Sequence, residues 1–523
     1  ETLTGTGAAD APTVTDQAML ACRNPLTGEE NARVPILGLA ELQSLVARCR
    51  AAQAEWAARS LRERSQAIQR LRRMVARRAD EIAGLIRTET GKPFGEALGA
   101  EVLVTCEYLA YLARTSPKVL RPHRVGTGWF AHRRAGVVYE PYGVIGAITP
   151  WNYPFSLSMG AVTTALAAGN AVVLKPSEWT QATGQLVGDL ASSATGLGDL
   201  VMVATGDGST GAALINAGVD KIAFTGSVAT GRKVMATAAE TLTPVVLELG
   251  GNDAMIVCAD ADIERAARGA VWAAFFGCGQ ICQSVERVYV IDSVYDDFLG
   301  AVVAAARRVR ASDEPEAMIG SLIAPFQVDT VERQLEDARN RGAKILLGGR
   351  PITGPGHFFE PTVVADVDHS MELMRNETFG PVLPIMRVAD EAEAVRLAND
   401  SRYGLDASVW TRDRDKGKRM AEQLEVGTVL INDHLINFAI PGLPFGGVRE
   451  SGFGRVHGLE GLREFARPKS WVEDRIALGR EPHWFEESGS GVRMARSLLG
   501  WRHGDGPVRR VRAALRLLRD FVR

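Results

Sequence analysis

Ile222-Ala223-Phe224-Thr225-Gly226-Ser227-Val228-Ala229-Thr230-Gly231 reads as a short apolar strand, a glycine-bordered loop and the start of a helix. Glycines let a backbone come close to a ligand, and the free N–H groups and positive end of a helix N-terminus face an anion such as a pyrophosphate. Gly226, Ser227 and Gly231 are therefore candidate phosphate-binding positions. Their Gly-Ser-x-x-x-Gly spacing differs from the usual Gly-x-Gly-x-x-Gly fingerprint, and alone it describes an ordinary strand-to-helix turn. Working outward, similar Val/Ile-rich runs precede it at Val144–Ile148 and Ala171–Leu174, each followed by a helical stretch. Continuous apolar strands alternating with helices mean a parallel sheet covered on both faces, an α/β dinucleotide-type fold. After Glu248 a second series follows at Val257, Val288–Ile291, Lys344–Leu347 and Val429–Asn432, which predicts a second α/β domain.

The bulk properties set limits. A chain of 523 residues exceeds one compact core and predicts two or three domains. Its 46% hydrophobic and 23% charged residues are those of an ordinary soluble protein. No apolar run approaches the roughly 20 residues needed to span a bilayer, and no basic segment leads into an apolar one at the N-terminus, so a cytoplasmic location is expected. The cysteines, Cys22, Cys49, Cys106, Cys258, Cys278 and Cys282, are scattered. They suggest neither a disulfide framework nor a Cys-x-x-Cys site, and no His/Cys/Asp cluster calls for a metal.

The formal charge of -2 hides an asymmetry, because the chain from Gly491 onward holds nine arginines and two aspartates. The remainder has 51 basic against 60 acidic residues, which argues against a nucleic-acid partner for the main body. Within Pro507–Arg523, Val508, Val511, Leu515, Leu518 and Val522 recur at spacings of 3 and 4 with arginines between them, a basic amphipathic helix. It is too short and too charged to span a membrane; it suits either an anionic membrane surface or a neighbouring subunit. At the other end, residues 1–20 show no helical or strand period and read as mobile. From Ser60, the residues Ile68, Leu71, Val75, Ile82 and Leu85 share one face of an arginine-rich helix ended by Gly91-Lys92-Pro93, and a second helical stretch covers Glu101–Ala113.

Several short motifs follow one another. They are Thr149-Pro150-Trp151-Asn152, Lys175-Pro176-Ser177-Glu178, Glu248-Leu249-Gly250-Gly251-Asn252-Asp253, Phe275-Phe276-Gly277-Cys278-Gly279-Gln280-Ile281-Cys282, Glu377-Thr378-Phe379-Gly380-Pro381, and a glycine-rich segment from Pro444 to Arg455. Singly, each has a plainer explanation: a buried small Cys, a turn Asn, a solvated Glu at a strand end. In this order, over roughly residues 20–470, they resemble the aldehyde dehydrogenase superfamily.

The resemblance implies a Rossmann-type cofactor domain (21–130 and 142–247), an α/β catalytic domain (248–440), a small β oligomerisation arm (131–141 and 468–475) and a C-terminal extension (476–523). Homodimers or homotetramers are the family expectation. Cys282 is expected to attack the aldehyde carbonyl, with Asn152 and the Cys282 backbone N–H holding the oxyanion. Glu248 is expected as the general base that hydrolyses the thioester, which separates hydrolytic members from CoA-acylating ones. Lys175 and Glu178 are expected on the adenosine ribose, with Ser177 beside them. Thr149, Pro150, Trp151 and Leu249 complete the cofactor surface, Glu377 holds the second ribose and Phe379 packs the nicotinamide. Glu178 favours NAD, while Lys175 and Ser177 leave NADP as an alternative. Relatives usually have Asn where this chain has Gly277, which leaves the packing of the nucleophile loop open; Cys278 reads as packing or as an oxidative partner of Cys282. Tyr153, Phe155, Met159 and Phe276 suggest an apolar tunnel for a medium- or long-chain or aromatic aldehyde. Succinate semialdehyde, which would need cations in that tunnel, is the alternative; a CoA-acylating or catalytically silent relative is a further one.

Overall fold

The computed structural model describes residues 18–314, 317–476, 484 and 490–522. The described residues up to 121 together with 139–468 form one compact unit; 122–138 and those from 469 onward form a second.

The first unit is built on two mostly parallel sheets, each with its own hydrophobic core. One has six strands in the order Gly452–Phe453, Val245–Glu248, Lys221–Thr225, Val144–Ile148, Ala171–Lys175, Val201–Val203. All pairs are parallel except the first. The strand order reverses beside Val144–Ile148, and at such a point the carboxyl ends of neighbouring strands open a crevice where ligands of α/β sheets bind. The other sheet has seven strands, Lys344–Leu347, Thr362–Ala365, Val382–Val388, Val285–Ile291, Asp253–Val257, Asp406–Trp410 and Thr428–Ile431, antiparallel only at Lys344–Leu347. Residues 249–252 carry the chain from the end of Val245–Glu248 straight into Asp253–Val257, so Glu248 stands at the crossover from one sheet to the other.

Seven of these strands fall where the apolar runs predict them; Val201–Val203, Val245–Glu248, Thr362–Ala365, Val382–Val388, Asp406–Trp410 and Gly452–Phe453 were not read from the sequence. Three expectations need correction. The arginine-rich helix is two helices, Leu61–Arg77 and Ala79–Thr90. Ser60 does start the first, its hydroxyl accepting from Glu63 N–H while Glu63 Oε2 accepts from Ser60 N–H. Arg78 leaves helical geometry, however, and Asp80 and Glu81 open a fresh acidic first turn, so Ile86 rather than Leu85 is buried. The stretch after Gly91 begins as a π-helix, Ala97–Leu103, before the Val104–Val119 helix. Near the N-terminus, the segment expected to be mobile largely lies outside the described residues, but Met19–Arg23 is a strand paired with Glu30–Pro35.

In the second unit, Ala466–Asp474, Arg133–Pro141 and His123–Val125 form a three-stranded sheet with Ala466–Asp474 at its edge. Two helices, Ser490–His503 and Pro507–Val522, pack as a hairpin in which Gly500 lets Ala513 come close. The first of them was not expected from sequence. Val508, Val511 and Leu515 of the second are exposed, as is Trp501 of the first. The side chains of Leu518 and Val522 lie outside the described residues. No helix of the described residues is long and apolar enough to cross a membrane.

Candidate active site

The register of the six-stranded sheet lines up the motifs. Ile148 pairs with both Lys175 and Phe224, and Thr225 pairs with Glu248. Thr149–Asn152, Lys175–Glu178, Gly226–Gly231 and Glu248–Leu249 therefore leave the carboxyl ends of four adjacent strands along one edge. Ser227 caps the Val228–Glu240 helix by accepting from Thr230 N–H at 3.2 Å, and Gly226 N–H donates to the Glu248 carbonyl at 3.0 Å. Gly231 is required where it stands, since a Cβ there would sit 2.6 Å from Leu249 Cδ2. Lys175 Nζ lies 3.7 Å from Glu178 Oε2, and Ser177 donates to the same oxygen at 3.1 Å. Burial pulls the Lys175 ammonium pKa down, with Glu178 and then Asp207 pushing the other way.

Asp207 belongs to a signal missed in the sequence. Gly-x-Gly-x-x-Gly spacing does occur once, at Gly206, Gly208 and Gly211, at the start of the Gly208–Asn216 helix. It borders Lys175, whose Cδ lies 3.9 Å from where a Gly211 Cβ would be. This loop and Gly226–Gly231 are two glycine turns on the same sheet.

The nucleophile loop runs between the Ile263–Phe275 helix and the Val285–Ile291 strand. Gly277, Cys278 and Gly279 have φ of +64°, +57° and +72°. Asn is, after Gly, among the residues that tolerate this left-handed region, so Gly in place of the family's Asn keeps the turn. At Gly279 a Cβ would lie 2.1 Å from the Gly380 carbonyl oxygen. Gln280 pins the loop: its Nε2 donates to the Gly277 and Ser321 carbonyls and its Oε1 accepts from Ile323 N–H. Asn152 Nδ2 donates to the Gln280 carbonyl at 2.9 Å, which places this amide directly against the cysteine loop. Cys278 is wholly buried, consistent with packing.

Asn152, Tyr153 and Cys282 line one cavity of about 530 Å³; Cys282 and Glu248 together line a second, smaller one. Burial first, then the carboxylates of Asp253, Asp406, Glu377 and Glu248, push the Cys282 thiol well above its usual range. Burial likewise raises Glu248 well above the carboxylate range, with Arg455 opposing, and neither of its carboxylate oxygens has a protein partner among the described residues. A thiol and a carboxyl both held towards neutrality suit proton exchange between them or through water. The late glycine segment shapes this corner: Gly452 pairs with Glu248, and a Cβ at Gly446 would come within 2.6 Å of Glu248 Oε1.

Glu377 accepts from Gly251 N–H at 3.2 Å, and Phe379 meets Trp151 edge-on with ring centroids 5.4 Å apart. Two buried carboxylates that sequence reading missed hold this surroundings in place. Glu286 accepts from the backbone N–H groups of Thr378 and Phe379, both at 2.8 Å, and from Asn252 Nδ2 at 3.0 Å. Glu101 accepts from Phe155 and Ser156 N–H at the start of the Pro154–Ala168 helix and pairs with Lys92 at 2.9 Å. Lys92 Nζ in turn stands 3.3 Å from the Tyr153 ring centre.

Two expected tunnel residues are core instead. Phe155 and Met159 are wholly buried and do not line the 530 Å³ cavity. Its wall comes from Tyr153, Leu157, Trp272, Phe276, Met318 and Phe438, among others; among the described residues it contains no Lys, Arg or His, and Glu96 is the one carboxyl.

Comparison with known proteins decides the family. Residues 13–471 match the sequence profile of the Aldehyde dehydrogenase family. The chain belongs to this family. Among relatives, the dehydrogenase is 42% identical over 508 residues to 4,4'-diapolycopene aldehyde oxidase of Methylomonas sp., covering 96% of this chain and 95% of that protein. Its fold is similar to the succinate-semialdehyde dehydrogenase of Burkholderia pseudomallei (TM-score 0.84, 36% identity, 87% of this chain and 95% of the other). It is also similar to an NAD-dependent aldehyde dehydrogenase of Sinorhizobium meliloti (TM-score 0.86, 32% identity, 92% and 95%). The enzyme is thus an aldehyde-oxidising, NAD(P)-dependent oxidoreductase. The row of strand ends fits such a cofactor, with a capped helix N-terminus and glycine turns for phosphates and a partly exposed Glu178 able to accept ribose hydroxyls. Bound there, a nicotinamide dinucleotide accepts the hydride. Among the described residues no cluster of His, Cys, Asp and Glu could hold a metal ion.

The buried Asp406–Asp253 pair near the cysteine makes stability depend on pH. Asp253 Oδ2 accepts from Asp406 N–H, and Asn437 Nδ2 donates to Asp406. Burial pushes Asp406 and Glu286 up to about 7 each. Unfolded, both release their protons near pH 4. The native chain therefore binds more protons between roughly pH 4 and 7, and stability falls as pH rises through that window. Asp406→Asn is expected to flatten the fall, read as the shift in denaturant midpoint between about pH 5 and about pH 7.5.

Proposed function

We propose that the enzyme oxidises an uncharged, apolar aldehyde of medium or long chain, or an aromatic one, to the carboxylic acid. The observation that carries this is the wall of the 530 Å³ cavity at Cys282, which among the described residues is mostly aromatic and aliphatic, with one carboxyl and no cation. Succinate semialdehyde bears a carboxylate, which such a wall leaves unpaired at a cost of several kcal/mol. The relative of Methylomonas sp., named for an aldehyde of diapolycopene, supports the same direction.

In this reading Cys282 adds to the aldehyde carbon while Asn152 and the Cys282 N–H donate to the oxygen. Hydride loss leaves a thioester on Cys282. Glu248 then takes a proton from water, the water oxygen bonds to the acyl carbon, and the C–S bond breaks to return the thiol and release the acid. Lys175, Ser177 and Glu178, the Gly226–Gly231 turn, Thr149, Pro150, Trp151, Leu249, Glu377 and Phe379 hold the dinucleotide, so the six-stranded sheet is the cofactor domain and the seven-stranded sheet the catalytic one. Glu178 favours NAD over NADP.

The edge strand Ala466–Asp474, largely exposed along its length, is proposed as the contact for a dimer or tetramer. The C-terminal hairpin, with arginines beside exposed Val508, Val511 and Leu515, is proposed to touch an anionic membrane surface from the cytoplasm.

Chain length tests the substrate. Trp272, Met318 and Ile436 line the cavity yet are 40%, 55% and 40% exposed, so they form its apolar rim. The expected result is a kcat/KM that rises from propanal to dodecanal. Trp272→Ser combined with Met318→Ser should raise KM for dodecanal about tenfold and leave propanal within about twofold, as removal of apolar contact area predicts.

A further inference from the structure

The reaction has a second substrate, water, and the structure offers it a place of its own. Once a thioester has formed, the acyl chain fills the apolar cavity in front of Cys282, a surface with little to hold a water. Cys282 and Glu248 also border a second chamber of about 60 Å³, against the roughly 15 Å³ that one water requires. Its wall includes Ser156, Gly160, Thr164, Val456 and His457.

The polar atoms of this wall are unusual. Ser156, Glu248 and His457 are each more than nine-tenths buried, and Ser156 Oγ, both Glu248 carboxylate oxygens and His457 Nδ1 have no protein partner among the described residues. Buried polar atoms are almost always hydrogen-bonded, and a water needs two to four such partners. Two further polar neighbours are already engaged: Thr149 Oγ1 with Ser158 Oγ at 2.8 Å, and Thr164 Oγ1 with Tyr108 Oη at 2.7 Å and the Gly160 carbonyl. His457 lies against two rings, stacked on Tyr108 at 4.3 Å and tilted against Phe438 at 4.4 Å. Burial lowers its pKa to about 3, so the imidazole is neutral and able both to donate and to accept.

We propose that this chamber is the binding site for the hydrolytic water, with Ser156 and His457 as positioning residues that hold a short water cluster against Glu248. Water then reaches the thioester from inside the protein while the acyl chain still occupies the cavity. Glu248 removes one proton, the remaining hydroxyl bonds to the acyl carbon and the Cys282 sulfur leaves with the proton. The inference rests on the thioester chemistry proposed above.

Stopped-flow detection of NADH with saturating dodecanal and NAD tests it on the full-length enzyme. Ser156→Ala removes the hydroxyl without adding bulk; His457→Phe keeps an aromatic ring beside Tyr108 and Phe438 but removes both nitrogens. Each should give a burst of one NADH per active site at the wild-type rate, followed by a steady state slowed about fivefold, the effect of one lost hydrogen bond. Intact mass spectrometry should then show the dodecanoyl adduct on Cys282. Ser156→Thr, which retains the hydroxyl, should keep the wild-type steady state. An unchanged steady state in both Ser156→Ala and His457→Phe overturns the chamber's role, as does a parallel loss of burst and steady state. An enzyme that forms no NADH at all overturns the thioester chemistry and the chamber with it.

Discussion

Replacing Glu248 by Gln is expected to stop the reaction half-way. Glutamine keeps the shape of the side chain over Gly446, where a Cβ would collide with the carboxylate, and so keeps the corner intact. It cannot take a proton from water. Hydride transfer should still occur once, giving one NADH per active site, after which the acyl group stays on Cys282 and the steady-state rate falls by roughly 10²–10⁴, the usual contribution of a general base. Mass spectrometry of the quenched protein should find the acyl mass on the peptide that carries Cys282. A variant that loses the burst as well would assign Glu248 the further task of deprotonating the thiol. The raised pKa of that buried thiol makes such help valuable, because only the thiolate attacks a carbonyl efficiently. The acid limb of the kcat/KM profile should therefore lie above the ordinary carboxylate range in wild type and disappear in Glu248→Gln.

Cys282→Ala has the larger effect. No other thiol borders the apolar cavity: Cys278, four residues earlier, is sealed in the core, and it turns away through a left-handed backbone. Removing the nucleophile should lower turnover by about 10⁴ or more and abolish both burst and adduct. Cofactor binding should remain, since the substitution leaves every residue proposed to hold the dinucleotide unchanged, and titration of NADH fluorescence checks this.

Part of the architecture was legible because buried parallel strands are written as continuous apolar runs rich in β-branched residues, as at Val144–Ile148, which matches the structure to the residue; the half-exposed antiparallel edge strand Lys344–Leu347 matches as well. The family was legible through the order of its motifs along the chain, and the structure gathers Asn152, Glu248 and Cys282 around adjoining cavities. Facing is what sequence conceals. Phe155 and Met159 follow Asn152 closely, yet the Pro154–Ala168 helix turns them into the core, while Trp272 and Met318, far away in sequence, reach the cavity. Buried carboxylates were equally hidden. Glu286 serves Thr378 and Phe379 across more than 90 residues, and Glu101 serves Phe155 and Ser156 across more than 50, so no local pattern marks either one. The break at Arg78 escaped notice because the apolar period runs on through it.

The central claim is that an aldehyde is oxidised in a cavity with no place for a second negative charge. It is tested most directly by the ratio of kcat/KM for dodecanal to that for succinate semialdehyde, measured with purified enzyme and NAD. A ratio of about 100 or more, corresponding to roughly 3 kcal/mol against an unpaired buried carboxylate, is the predicted result. A ratio below one would contradict the account and place a cation where the cavity wall shows none.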